Sequence, residues 1–325
     1  MNNATLLDVR GLSKHYPVQA SGWLKPPQVL KAVDEISFHL DEGETLGLVG
    51  ESGSGKSTTG RLILRLIEPT AGQVLYRGQS LFDLSPQDFK PFRKDLQMIF
   101  QDPAGSLNPA YSVHDLIAEP LRVHNLVSTE RERRERVAEL MTQVGLDPQM
   151  SGRFAHEFSG GQKQRIGIAR ALAVQAKLII ADEPVSALDV SIQSQILNLM
   201  QELKQRLGLA YLFIAHDLAV VKHMSQRVAV MYLGRIVELT TSQNLYRQPA
   251  HPYTKMLLAA IPHASAQRRI QSKVTQVQGE IPSPIDRPKG CAFHTRCPYA
   301  VTLCREEDPA LKEIAVQHVA ACHLI

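Results

Sequence analysis

The segment Gly50-Glu51-Ser52-Gly53-Ser54-Gly55-Lys56-Ser57 has the make-up of a loop that holds phosphate. It matches the pattern G-x-x-x-x-G-K-[ST] at every fixed position. Glycines let the backbone curl until successive N–H groups point at phosphate oxygens, and the helix that follows adds the positive end of its dipole. In such a loop the lysine, here Lys56, reaches the β- and γ-phosphates, and the Ser57 hydroxyl ligates Mg²⁺. The loop needs a second metal-holding carboxylate at the tip of a neighbouring strand. Leu178-Ile179-Ile180-Ala181-Asp182 supplies one, because four apolar residues bury the strand and Asp182 emerges at its end. Glu183 follows directly and is placed to accept a proton from, or orient, a water attacking the γ-phosphate in line. A strand-end Asp-Glu by itself is commonly an acid pair at a helix start; the phosphate loop is what favours the catalytic reading.

These residues require strands to carry them and helices to cover the strands. Leu6-Leu7-Asp8-Val9 and Ala32–Phe38 read as strands, followed by Thr45–Val49, which enters the loop. An apolar-periodic helix through Leu62, Ile63, Leu64 and Leu66 leaves it, and Gln97–Phe100 reads as a short buried strand. Residues 113–146 read as helical, and Thr129-Glu130-Arg131-Glu132 fits a capping box at a helix start. The alternating charges from Glu130 to Arg136 read as a solvated helix face. Lys177–Asp182 and Tyr211–Ala215 are apolar throughout, as expected for parallel strands buried on both faces, with a helix from Ile192 to Leu207 between them. The alternation predicts an α/β domain with a mixed, largely parallel core sheet. Around Pro249, Pro252 and Pro262 the periodicity fades, and the remainder reads as a small appended domain.

Composition excludes several classes. The chain has 325 residues, 44% of them hydrophobic and 21% charged, enough to bury a large core. A formal charge of +4 is mild and argues against a nucleic-acid partner. The start Met1-Asn2-Asn3-Ala4-Thr5 lacks the basic and apolar regions of a signal peptide, and no apolar run is long enough to span a bilayer. A cytosolic location is the expectation.

Phe158-Ser159-Gly160-Gly161-Gln162-Lys163-Gln164-Arg165 narrows the field. It resembles the signature motif of ABC transporter ATPases, with Phe158 where leucine is usual, and the other landmarks of that family stand around it in order. The resemblance implies a P-loop ABC ATPase domain over residues 1–248, with N-terminal antiparallel strands and a helical subdomain at about 103–170, plus a C-terminal extension over 249–325. It implies nucleotide contacts from Gly50, Ser52, Gly53, Ser54, Gly55, Lys56, Ser57 and Thr58, and adenine stacking on Tyr16, with Trp23 and Tyr76 as other aromatics nearby. It assigns Ser159, Gly160, Gly161 and Gln162 to the nucleotide on the opposite subunit, and Asp189, in Ser186-Ala187-Leu188-Asp189, to the loop joining the two sites. Gln101 is implied to touch Mg²⁺ and the attacking water beside Ser57 and Asp182, and His216 to contact the γ-phosphate alongside Glu183.

Gly105-Ser106-Leu107-Asn108-Pro109, Pro249-Ala250-His251-Pro252-Tyr253-Thr254 and Gly279-Glu280-Ile281-Pro282-Ser283-Pro284 are similar to the dipeptide and oligopeptide importers within the family. The implied function is ATP-driven closure of an ATPase pair, identical or homologous, coupled to two separate permease subunits and an extracytoplasmic binding protein. The implied location is the cytoplasmic face of the membrane. The same resemblance extends to importers of nickel, glutathione, haem and oligosaccharides. A soluble ABC ATPase of DNA repair or translation is the distant rival, disfavoured by a single phosphate loop and no sustained heptads.

All four cysteines, Cys291, Cys297, Cys304 and Cys322, lie near the C-terminus, spaced C-x₅-C-x₆-C-x₁₇-C. No C-x₂-C pair points to structural zinc. Four thiolates in a small loop-rich segment suit a [4Fe–4S] cluster, and related importer ATPases carry a similar pattern. Reduced thiols packed as small apolar groups are the alternative, with zinc a minor one. His294, His318 and His323 lie close in sequence.

Overall fold

The computed structural model describes residues 4–18, 28–103, 105–261 and 280–325. The N-terminal Met1-Asn2-Asn3, Trp23, Pro262 and Gly279 lie outside the described residues. The chain divides into two compact units, one of Met1–Ala4, Asp41–Glu44 and Asp83–Ile214, the other of Thr5–Leu40, Thr45–Phe82 and Ala215–Ile325.

In the first unit a parallel ladder joins strand Leu96–Ile99 to Leu178–Asp182 and that strand to Ala210–Ala215, with Asp182 opposite Ile214 at the ladder's end. Leu178, Ile179, Ile180 and Ala181 are fully buried, which explains the unbroken apolar run. Each such Leu or Ile contributes about 1.5–3 kcal/mol by leaving water. The helical stretch resolves into two helices, Val113–Val123 and Glu130–Gln143. The expected capping box forms, with Thr129 Oγ1 accepting from the Glu132 N–H and the Glu132 carboxylate accepting from the Thr129 N–H. The charges of Glu130–Arg136 pair within the helix, Arg131 with Glu135 and both Arg133 and Arg134 with Glu130, so that face is a solvated one. Helix Val190–Leu207 stops at Gly208, which takes φ 64°.

In the second unit, strands Gln28–Asp41, Thr5–Val18, Ala71–Tyr76 and Gln79–Ser80 form one sheet in that order, with Leu7 opposite Tyr76 in an antiparallel pairing. Strand Thr45–Val49 pairs in parallel with Arg227–Tyr232. The latter turns antiparallel into Arg235–Thr241, which takes His318–Ala320 and then Lys312–Ala315 on its far side. The C-terminal extension therefore continues the sheet that carries the phosphate-loop strand. Helix Lys56–Ile63 ends a turn earlier than the apolar pattern suggests, leaving Leu66 exposed.

Strand Thr45–Val49 is buried along its whole length and packs so closely that a Cβ built on Gly47 would lie 2.4 Å from Val221 Cγ1 and 2.7 Å from Ser225 Oγ. Gly47→Val is expected to lower unfolding stability by at least about 2 kcal/mol, because the helix carrying Val221 must move. Denaturant unfolding of the full chain checks this, and an unchanged midpoint would refute the tight approach.

Candidate functional site

The phosphate loop begins where strand Thr45–Val49 ends. Gly55 caps helix Lys56–Ile63 with φ 103°, and a Cβ there would meet Ala32 O at 2.3 Å, so only glycine fits. Lys56 is 4% exposed. A buried ammonium must find acceptors, and Nζ donates to Gly50 O at 2.7 Å and Glu51 O at 2.9 Å, with Ser54 Oγ at 3.4 Å. Ser52 and Gly53 are exposed at the loop's crown, and Ser57 and Thr58 are half-buried on the first helical turn. In the same unit Tyr16, on strand Thr5–Val18, is half-exposed with Lys14 Nζ 4.9 Å from its ring centre. Tyr76 is 2% exposed, which removes it as a stacking platform. His216 is exposed just past strand Ala210–Ala215.

In the first unit Asp182 ends its strand 2% exposed. Glu183 follows with φ 46°, a left-handed backbone that side-chain-bearing residues seldom adopt and that clusters at functional sites. Its N–H donates to Ile214 O at 2.9 Å, which fixes the turn. Gln101 Nε2 donates to Glu183 Oε2 at 2.9 Å, so the structure brings these two expected catalytic residues together. Gly105–Pro109, beyond Gln101, forms turns anchored by buried Leu107 and by Arg170 Nη1 donating to Ser106 O at 2.8 Å.

Ser159 and Gln162 close a capping box on helix Gly160–Leu172, the Ser159 N–H donating to Gln162 Oε1 at 3.0 Å. Ser159 and Gly160 are exposed while Phe158 is 5% exposed, so phenylalanine serves the apolar role of the usual leucine. Asp189 caps helix Val190–Leu207. The Ile192 N–H, then the Ser191 hydroxyl, hold its carboxyl below the usual range.

The pattern of the ABC transporter family matches residues 33–186, and that of the oligopeptide/dipeptide transporter C-terminal region matches residues 237–304. The oligopeptide transport ATP-binding protein AppF of Bacillus subtilis (strain 168) is 52% identical, over 99% of this chain and 98% of that protein. The putative peptide import ATP-binding protein BOV_A0347 of Brucella ovis is 49% identical, over 99% and 98%. A dimeric post-hydrolysis structure of the ATP-binding cassette MJ0796, bound to ADP and phosphate, superposes with TM-score 0.65 at 27% identity, covering 73% of this chain and 99% of that one. The chain belongs to the ABC transporter ATPases.

This ABC ATPase carries further functional geometry in its C-terminal region, where sequence reading saw only a family mark. Pro249–Thr254 starts helix Pro252–Ala259. Buried Glu238 accepts from the backbone N–H of Ala250 and His251, and from His318 Nε2, all at 2.8 Å. Tyr253 is fully buried, and its hydroxyl accepts the Glu51 N–H at 2.9 Å. Arg296 donates through both terminal nitrogens to the Glu51 carboxylate at 2.7 and 2.9 Å. The only signals for these partners were the Pro-Ala-His-Pro-Tyr-Thr string and an arginine beside Cys297.

The thiols are free of disulfides, with Cys304 and Cys322 buried and Cys291 and Cys297 half-buried. Burial first, and then neighbouring Cys304, Cys322 and Cys297, push the Cys291 thiol up to about 11, and burial raises Cys297 and Cys322 as well. The thiols thus converge on one another. Yet among the described residues no three His, Cys, Asp or Glu side chains are gathered closely enough to hold a metal ion. As placed, the thiols do not form the closed set of four ligands that the expected iron–sulfur cluster needs. Nearby histidines are otherwise engaged: His294 Nδ1 with Cys291 O, His318 with Glu238, His323 with Glu307 O.

His251 is 1% exposed; its Nδ1 accepts the Tyr253 N–H at 3.0 Å, the arrangement of a neutral ring. Burial, reinforced by Lys255, pulls its pKa from 6.5 down to about 4. The unfolded chain therefore binds the proton more readily than the folded one. This contribution is complete above pH 6.5 and is lost as pH falls towards about 4, amounting to about 3 kcal/mol. His251→Gln is expected to lose part of the fall in stability between about pH 7 and about pH 5. Denaturant unfolding at both pH values checks it, and identical pH dependence in the two proteins would refute it.

Proposed function

We propose that this ATPase powers the import of dipeptides and oligopeptides through separate permease subunits, with cargo delivered by an extracytoplasmic binding protein. The observation that carries the peptide reading is the C-terminal match over residues 237–304, because the ATPase core is common to ABC transporters at large. The names of relatives across the full chain length agree with it. Among the described residues no helix is long and apolar enough to cross a membrane, which fits peripheral attachment to a permease.

In this reading Gly50–Thr58 and Lys56 grip the phosphates. Ser57, Gln101 and Asp182 hold Mg²⁺, which neutralises phosphate charge when bound. Glu183 accepts the proton of the attacking water, with Gln101 and His216 orienting it and the γ-phosphate. The Gln101–Glu183 hydrogen bond supports that pairing. Ser159, Gly160, Gly161 and Gln162, at a helix start where Ser159 and Gly160 are exposed, serve the nucleotide bound by the partner ATPase, and Asp189 links the two sites. Tyr16 stacks on adenine. Residues 1–248 act as the ATPase and 249–325 as the importer-specific extension.

The finer reading of the cysteine segment is a [4Fe–4S] cluster held by Cys291, Cys297, Cys304 and Cys322. Its donor chemistry and the convergence of the thiols recommend it, and ligation requires them to close up. Protein purified without oxygen is expected to contain iron and acid-labile sulfide at about four of each per chain. Colourless, iron-free protein would sink this reading and leave the ATPase untouched.

Glu183→Gln is expected to retain ATP binding while steady-state hydrolysis in the assembled transporter falls roughly 10²- to 10⁴-fold. Near-normal turnover would remove Glu183 from its assigned role. Uptake of labelled di- and tripeptides by vesicles holding the complete transporter tests the cargo, and uptake confined to a metal or sugar would reassign it.

A further inference from the structure

Glu51 is a variable position of the phosphate-loop pattern, yet it is held through every polar group it has. Its N–H donates to Tyr253 Oη at 2.9 Å, its carbonyl accepts Lys56 Nζ at 2.9 Å, and its carboxylate takes both terminal nitrogens of Arg296 at 2.7 and 2.9 Å. Two of these three partners, Tyr253 and Arg296, come from the C-terminal region and are themselves fixed. The Arg296 side chain is 7% exposed, with its guanidinium carbon 5.9 Å from the Tyr232 ring centre and 5.8 Å from that of Phe293. Tyr253 packs against the same two rings, at 4.6 and 5.4 Å between centres, and all three aromatics are at most 1% exposed.

We infer that Tyr253 and Arg296 are positioning residues for nucleotide binding: the C-terminal extension sets the phosphate loop through Glu51 and thereby places the Lys56 ammonium. The inference rests on the ATPase reading above. The physical reason is that Lys56 is steered by the Gly50 and Glu51 carbonyls, so its location follows from where the Glu51 peptide is held. A hydroxyl on one side and a planar guanidinium fork on the other leave that peptide little freedom, and a fork is matched only by arginine. The surrounding aromatic box is preassembled, so the loop is held in place before phosphate arrives. A loop freed from these anchors samples positions in which its N–H groups and Lys56 miss the phosphate oxygens. Affinity for nucleotide falls, while the hydrolytic step, run by Glu183, keeps its rate once nucleotide is seated.

The test measures equilibrium binding of a fluorescent ATP analogue with Mg²⁺ to the full chain, and KM and kcat of the assembled transporter, with thermal unfolding to establish the folded fraction. Tyr253→Phe is expected to raise Kd and KM for ATP roughly fivefold, with kcat held within about twofold. Arg296→Gln should raise both by roughly tenfold or more, and Arg296→Lys should recover part of that loss. Combining Glu51→Gln with Arg296→Gln should cost no more than the worse single change, because the two act as one unit. Kd and KM within about twofold of the unaltered protein in Tyr253→Phe, Arg296→Lys and Glu51→Gln would overturn the inference, as would a fall in kcat at unchanged KM. If Arg296→Gln fails to fold, the other three variants decide. Equal analogue binding by the unaltered protein and Lys56→Ala would overturn the ATPase reading itself, a result separable from an unchanged Tyr253→Phe.

Discussion

A primary ammonium sealed from water at the mouth of a buried strand is costly unless oxygen atoms surround it. Lys56, 4% exposed, meets that demand with main-chain carbonyls of its own loop. Carbonyls can turn inward only if the loop curls tightly, and curling requires Gly55 at φ 103° against the Ala32 carbonyl. The same curl points N–H groups the other way, towards the space a phosphate fills. Charge burial, loop shape and anion binding are therefore one constraint, and the strand behind the loop has to be rigid enough to impose it.

Rigidity comes from the sheet on which the loop stands. Strand Thr45–Val49 is anchored in parallel on Arg227–Tyr232, and the C-terminal strands extend that ladder further. Glu238 is the hub of the extension, since a carboxylate with no exposure must be satisfied internally, and it orders both the start of helix Pro252–Ala259 and strand His318–Ala320. Tyr253 and Arg296 then reach the loop from elements that Glu238 and the aromatic box have already ordered. The region matched by the oligopeptide/dipeptide transporter C-terminal pattern thus packs directly on the Gly50–Ser57 loop.

In the other unit function is again placed by satisfied backbone. Glu183 occupies a left-handed conformation fixed by its N–H to Ile214, which turns its carboxylate towards Gln101. The signature serine and Asp189 are both helix caps. Capping a helix and presenting its N-terminus to an anion use the same geometry, so the structural and functional readings of Ser159 coincide.

The phosphate loop, the strand-end carboxylates and the signature were legible in the sequence because each is a local arrangement: its chemistry needs neighbouring residues in fixed order, and apolar runs marked the strands beneath. Local pattern likewise gave the Thr129 capping box and the buried strands, read as Lys177–Asp182 and Tyr211–Ala215 and found within one residue of those starts. The hairpin of strands Arg227–Tyr232 and Arg235–Thr241 went unread although its apolar runs and Leu233-Gly234 turn are local. The extension, by contrast, looked like a separate piece because the pairing of His318–Ala320 onto Arg235–Thr241 joins residues far apart in sequence and leaves no local pattern. Likewise, nothing in the order of residues says that Arg296 meets a carboxylate at position 51, or that Tyr76 is buried while Tyr16 is half-exposed. Motif chemistry was written along the chain. Which distant side chains hold the motif still was decided only by packing, because burial and ion pairing act through space.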